Sequence, residues 1–294
     1  MKGKTIGVVM VLVASACFGT LAIFGKFAED AGLNTTTLLT YRFVLGTALL
    51  WAGLAVWGRG IMLTGRHLRV ALALGVLYAA FSALFFWGLL FVPAGVAGIT
   101  FYTFPILVYV LSVRYLDESI TRRKLLALGI AIGGILLIVA ANTADINVIG
   151  VVLVFLAACG YAIYITGSRA ALSNIPPDLL AGTALIATAA TFVVFGGISG
   201  RLFVPQEQTQ WAIIAGIALL GTAFPLFLYV SGLGRIEASH AAVVSTTEPV
   251  VTVFLGVIIL GEVLTAPIVI GGFFIIGAVL LIQTDIAAEV RTAH

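Results

Sequence analysis

Charge is what this sequence has least of. Asp, Glu, Lys and Arg make up 9% of its 294 residues, against 62% apolar residues, and a soluble domain needs far more charge to cover its surface. A bilayer removes that requirement. Cysteine is nearly absent: Cys17 and Cys159 both fall inside apolar runs, so no disulfide framework is expected and redox compartment is not readable from them. Only three histidines occur, and between Asp30 and Asp285 no aspartate lies inside an apolar run except at its ends. An intramembrane enzyme would need Ser/His, paired aspartates or a metal cluster at depth. No such set is present, so neither an enzyme nor a metal or other cofactor is expected. There is no nucleotide-binding loop, so ATP is not expected to bind. The net charge of +3 and pI near 9 come without a basic tail or a basic stripe interleaved with aromatics, which excludes a nucleic-acid partner. Rings of polar residues that could line a channel are missing as well.

Long apolar runs are what the sequence has instead. A helix needs about 20 apolar residues to cross the hydrocarbon core. Ten such spans are predicted at 5–27, 35–57, 68–91, 94–114, 124–141, 147–167, 178–198, 210–232, 239–260 and 265–284. Breakers mark several of the gaps: Gly58 to Gly60, Pro93, Pro176-Pro177, Pro205 and Pro267. A transmembrane barrel would show short alternating segments; these runs are continuous and rich in Leu, Ala and Gly. Lys2, Lys4 and the stretch Leu12–Cys17 resemble a lipoprotein signal. The apolar run continues to Phe27 and no polar segment follows, so the first helix is expected to remain in the protein.

Lys and Arg counts predict orientation. With the N-terminus cytoplasmic, twelve basic residues lie inside (Lys2, Lys4, Arg59, Arg66, Arg69, Arg114, Arg122, Arg123, Lys124, Arg169, Arg235, Arg291) and two outside, Lys26 and Arg201. Arg42 falls within a span. Both termini are therefore expected in the cytoplasm.

The chain also repeats itself. At an offset of 144, Gly88 falls on Gly232, Ala94 on Ala238, Pro105 on Pro249, Glu118 on Glu262 and Thr121 on Thr265; after a one-residue slip, Ile6-Gly7 matches Ile149-Gly150. Apolar matches arise by chance far more easily than aligned Gly, Pro and Glu. Two halves follow, 1–141 and 147–284, with a short cytoplasmic tail at 285–294. Five spans per half is an odd number, so the second half inserts upside down, an arrangement of secondary transporters.

The two copies, Thr103-Phe104-Pro105 through Tyr115-Leu116-Asp117-Glu118 and Thr247-Glu248-Pro249 through Leu260-Gly261-Glu262, resemble the paired EamA-type domains of the drug/metabolite transporter superfamily, over roughly residues 5–284. Tyr41-Arg42-Phe43 resembles that family too. Phe18-Gly19 departs from it, standing where a Trp-Gly pair is frequent, which leaves the local pocket lining open. Within the superfamily the chain is most similar to bacterial amino-acid and metabolite exporters, including the YddG-like aromatic amino-acid branch. The resemblance implies a multi-pass inner-membrane exporter of aromatic or hydrophobic amino acids, working by alternating access. Other amino acids, cationic drugs and import are the alternatives.

The residues themselves suggest where a solute would bind. Pro105 and Pro249 lie inside spans four and nine, where each removes a backbone donor and opens the helix. Such backbone is tolerated only against protein or a water-filled cavity. Glu248 lies about ten residues into span nine, roughly 14 Å deep at 1.5 Å per residue. An ionisable group at that depth faces a partner or water, and it can bind an ammonium group or carry a coupling proton. Ser245, Thr246 and Thr247 precede it. Tyr78, Phe81, Ser82 and Phe85 share one helical face, and Tyr102, Tyr161, Tyr164, Phe224, Phe227 and Tyr229 add rings. Such a lining suits an uncharged or zwitterionic small molecule with an apolar side chain.

Arg42 is expected to snorkel or to pair with Glu29 or Asp30. Lys26 and His240 lie near the interfaces, and Glu118 and Glu262 are read as loop anchors. Gly129/Gly133 and Gly196/Gly200 have the spacing for close helix approach, which serves a monomer or a weak homodimer equally.

Overall fold

The computed structural model describes residues 2–56, 63–92, 97, 100–119, 121–139, 147–261 and 266–292. Among the described residues every element is a helix. In chain order they are α1 (Lys2–Phe18), α2 (Leu21–Asp30), α3 (Thr35–Val56), α4 (Gly65–Gly88), α5 (Phe104–Tyr115), α6 (Arg122–Val139), α7 (Val148–Ala171), α8 (Pro177–Ser199), α9 (Gln208–Ala218), a π turn (Leu219–Ala223), α10 (Phe224–Leu233), α11 (Ala238–Ser245), α12 (Glu248–Leu260) and α13 (Ala266–Thr292). They form ten successive stretches at the positions predicted for the spans. Seven are long and apolar enough to cross a bilayer; Phe104–Tyr115 and Val269–Leu281 are apolar but shorter. The last helix runs on through the segment expected to be a tail. Pro93, Gly58 to Gly60 and Glu262 lie outside the described residues, and so does the role expected of Glu262.

Breaks fall where side chains disrupt the backbone ladder. α1 gives way to α2 at Gly19-Thr20, and α11 to α12 at Thr246-Thr247. Helical residues Thr100 and Phe101 are separated from α5 by a turn at Tyr102-Thr103. Pro105 and Pro249 sit in the first turns of α5 and α12, where a missing N–H costs nothing. The breaks in spans one and nine meet: Thr252 donates its hydroxyl to the Gly19 carbonyl at 3.1 Å, and a Cβ on Gly19 would lie 3.0 Å from the Glu248 carbonyl.

Nearly all the principal packing joins one half of the chain to the other. α1 packs on α10 and α11, α3 and α4 on α8, α4 and α5 on α7, α9 on α3, α11 on α5, and α13 on α6. Exchanging the halves maps this set onto itself, and the matched glycines make the mapping concrete. A Cβ on Gly7 would meet the Gly232 carbonyl at 3.1 Å, and one on Gly232 the Gly7 carbonyl at 2.8 Å. Their repeat mates do the same: Gly88 against the Gly150 carbonyl at 3.2 Å and Gly150 against the Gly88 carbonyl at 3.1 Å. The same crossing is built twice.

The expected Gly-x-x-x-Gly approaches are only partly made. Gly196 abuts Thr40, but Gly129 faces open space and Gly200 caps α8 in a left-handed conformation. On α6 the contact belongs to Gly134, whose Cβ would sit 2.6 Å from the Gly271 carbonyl; the face turned to α13 is one residue on from the predicted pair.

Candidate functional site

A cavity of about 790 Å³ opens between the helices, within the range of small-molecule sites. Its rim carries Lys26 and Glu29 from the end of α2, with Asn34 and Arg201 from the connections beside it. Lys26 pairs there with Glu29 and Asp30, both at 3.3 Å. The wall is aromatic: Phe18, Tyr78, Phe81, Phe85, Phe101, Tyr102, Tyr161, Tyr164 and Tyr229, with Ser82 and Leu226. Tyr78 stacks on Phe81 at 4.9 Å, and Tyr161 stacks on Phe101 at 5.5 Å while reaching Phe81 and Phe104. These contacts hold the rings of α4 and α7 in one continuous surface, and each such pair adds about 0.5–1.5 kcal/mol beyond burial. Arg42 and Glu248 complete the lining.

The structure thus brings Tyr78, Phe81, Ser82, Phe85, Tyr102, Tyr161, Tyr164 and Glu248 to one cavity. It does not bring the others. Phe224 points outward and is 44% exposed, and Phe227, though packed against the core, is absent from the lining. The π turn adds a residue per turn just ahead of α10, and Leu226 and Tyr229 face the cavity instead. Ser245 and Thr246 are buried and donate back to the Ala241 and Val243 carbonyls at 2.7 Å each. Both hydroxyl protons go to the end of α11. Pro105 and Pro249 are buried and stand behind the wall, where they start helices.

Arg42 requires a correction. It neither snorkels nor pairs with Glu29 or Asp30; it is 3% exposed. Its Nε donates to Thr222 Oγ1 at 2.8 Å and its Nη2 to the Gly221 carbonyl at 2.9 Å. Pro225, four residues after Gly221, has no N–H to offer that carbonyl, so the arginine fills a vacancy that proline creates. Thr222 in turn donates to the Ile217 carbonyl, five residues back, at 3.0 Å. The four-residue pattern Thr222-x-x-Pro225 was the available signal in the sequence.

The opposite end of the bundle is sealed by a second polar group. Glu118 accepts from the backbone N–H of Ala238 at 2.6 Å and of Ser239 at 3.2 Å, and from the Ser239 hydroxyl. It thereby caps α11 from the other half of the chain, where a carboxylate also suits the helix dipole. Lys124, 1% exposed, pairs with Glu237 and donates to the Ser119 carbonyl. His240, 1% exposed, approaches Glu237 at 3.9 Å. Glu118 is thus more than the loop anchor expected of it.

A helical bundle of this kind around a central cavity defines a polytopic membrane protein. The model of the EamA-like transporter family matches residues 5–140 and again 148–284, so the chain belongs to that family, once per half. It is 28% identical to the uncharacterised transporter YcbK of Bacillus subtilis (strain 168) over 268 residues, 87% of this chain and 86% of that one. It is also 28% identical to the threonine/homoserine exporter RhtA of Escherichia coli (strain K12) over 264 residues, 88% and 84% of the two chains. A solved crystal structure superposes with a TM-score of 0.83 at 20% identity, covering 97% of this chain and 98% of the other, which speaks to the fold. The chain is a multi-pass protein of the bacterial-type plasma membrane.

Proposed function

We propose that the protein is a secondary exporter of amino acids, with aromatic or other hydrophobic side chains preferred, working by alternating access. Ten spans as two inverted halves, with both termini cytoplasmic, supply the frame. In that orientation the open rim faces outward and the end sealed by Glu118 and Lys124 faces the cytoplasm. One observation carries the reading: the cavity is closed at one end, lined with aromatic rings, and holds the Glu248 carboxylate at its wall. Aromatic walls favour an apolar side chain, while Glu248 receives an ammonium group or a coupling proton. Pro105, Pro249, Ser245 and Thr246 shape the helix ends behind that wall.

The test is flux in proteoliposomes of the pure protein, with labelled Trp, Phe, Thr and a cationic drug. Saturable flux of Trp or Phe is expected, and none for any amino acid sinks the proposal. The RhtA relative and the Tyr and Ser82 hydroxyls in the wall favour a second reading, a smaller hydroxylated amino acid, which the Thr arm separates. Glu248→Gln is expected to impair transport and flatten its pH dependence while the protein still folds. Unchanged rate and pH profile assign Glu248 to structure.

A further inference from the structure

Two opposite charges line the cavity without touching. Among the described residues Glu248 makes no side-chain hydrogen bond and no ion pair, and no contact within 4.0 Å joins it to Arg42. Arg42 uses two of its five N–H donors, on Thr222 and Gly221. The guanidinium is held from behind, over the Phe43 ring at 4.8 Å, and still forms part of the wall. Arg42 is buried and Glu248 half-buried, and leaving two charges neither hydrated as in bulk nor joined to each other is costly. Something that carries both complementary charges relieves the cost for both at once.

We propose that Arg42 is the carboxylate-recognising residue of this cavity, so that Arg42 and Glu248 read the two charged groups of an α-amino acid zwitterion. The inference rests on the transport reading above and narrows it. The site offers one fixed cation and one carboxylate, matching a ligand with one of each. An amine leaves Arg42 without a partner, and a simple carboxylic acid leaves Glu248 without one. The repeat supports a directional site. Glu248 has Phe104 as its mate and, at the same offset of 144, Arg42 has Ile186. Both charges stand where the symmetry of the halves is broken, and an amino acid is likewise different at its two ends. The arginine also suits the task better than a lysine. Its planar fork can be pinned on one edge by backbone and present the other edge to a carboxylate in bidentate fashion.

The test uses the native protein in proteoliposomes, with Phe or Thr flux competed by phenylalaninamide or threoninamide, which lack the carboxylate, and by N-acetylphenylalanine or N-acetylthreonine, which lack the ammonium charge. Each analogue is expected to compete about 30-fold or more weakly than its parent, the scale of one lost charge-assisted contact. In Arg42→Gln the parent's affinity is expected to fall to that of its amide, so that discrimination between them collapses to about 3-fold or less. An amide that competes within about 3-fold of its parent on the native protein overturns the proposal and leaves amino-acid transport standing. Discrimination that survives in Arg42→Gln overturns it too. If that variant does not fold, the native comparison decides alone. No saturable amino-acid flux at all removes the transport reading and this inference with it.

Discussion

Replacing Glu118 with alanine should unseal one end of the cavity. Its carboxylate accepts two backbone N–H groups and a hydroxyl, at a position 9% exposed. Losing it leaves two orphan donors at the start of α11, each costing about 1–3 kcal/mol while buried, and removes a favourable dipole interaction of about 0.3–1 kcal/mol. That penalty is borne fully only while the end is closed, because opening lets water reach the same N–H groups. A penalty of about 3 kcal/mol shifts the closed-to-open ratio by roughly 100-fold. The assay is alkylation of a cysteine placed at Ala242, fully buried one turn further along α11, with Cys17 and Cys159 replaced. In detergent, where sidedness does not matter, the labelling rate should rise about 10- to 100-fold over the same protein with Glu118 intact. A lower unfolding temperature with an unchanged labelling rate refutes the reasoning and makes Glu118 an ordinary cap.

Glu237→Gln takes from the ammonium of Lys124, 1% exposed, the carboxylate it pairs with. Stability in a thermal scan should fall by up to about 3 kcal/mol, the low end for a broken buried pair because Glu237 is itself partly solvated; Lys124→Met added to it should recover much of the loss. Gly7→Ala drives a methyl to 2.8 Å from the Arg235 Cβ, and Gly150→Ala one to 2.7 Å from Val92. Both should cost about 1–3 kcal/mol, whereas Gly129→Ala, in open space, should be neutral or stabilising by up to about 1 kcal/mol. Denaturation of the three in the same detergent checks it, and equal effects refute the twice-built crossing.

The helices and the repeat were legible because hydropathy and punctuation are local properties. A run of apolar residues reads as a span wherever it lies, and Gly, Pro and Glu in register announce a duplication before any contact is known. Glu248 was legible for a related reason: a carboxylate far inside a run has few explanations. Arg42 was misread because depth along a helix does not reveal which neighbour the side chain meets. Its partners, Thr222 and Gly221, lie about 180 residues away and are available only because Pro225 and the π turn free a carbonyl. Phase was the other casualty. Of the three rings named in span eight, Tyr229 reaches the cavity with Leu226 beside it, while Phe224 and Phe227, just after the π turn, do not. Ser245 and Thr246 were expected among the site hydroxyls because they precede Glu248; both are absent from the cavity lining and donate their protons to the end of α11.

Arg42 and Glu118 obey one rule, and it bears on how the molecule can move. Each is a charged side chain of the first half that satisfies backbone left open by an irregularity in the second: Arg42 the carbonyl ahead of Pro225, Glu118 the N–H groups that begin α11. Regular helix has no such open N–H groups or carbonyls, so these two charged joints between the halves form where one helix begins and another is underwound. Broken helices are also the places where backbone angles can change at least cost. The π turn that Arg42 holds is such a place. Since α1 packs on α10, α4 on α7 and α13 on α6, the sequence repeats cannot part as two separate bodies. On the alternating-access reading proposed above, motion is left to the segments beyond the breaks, α11 with α5 at the Glu118 end and α2 with α12 near the cavity.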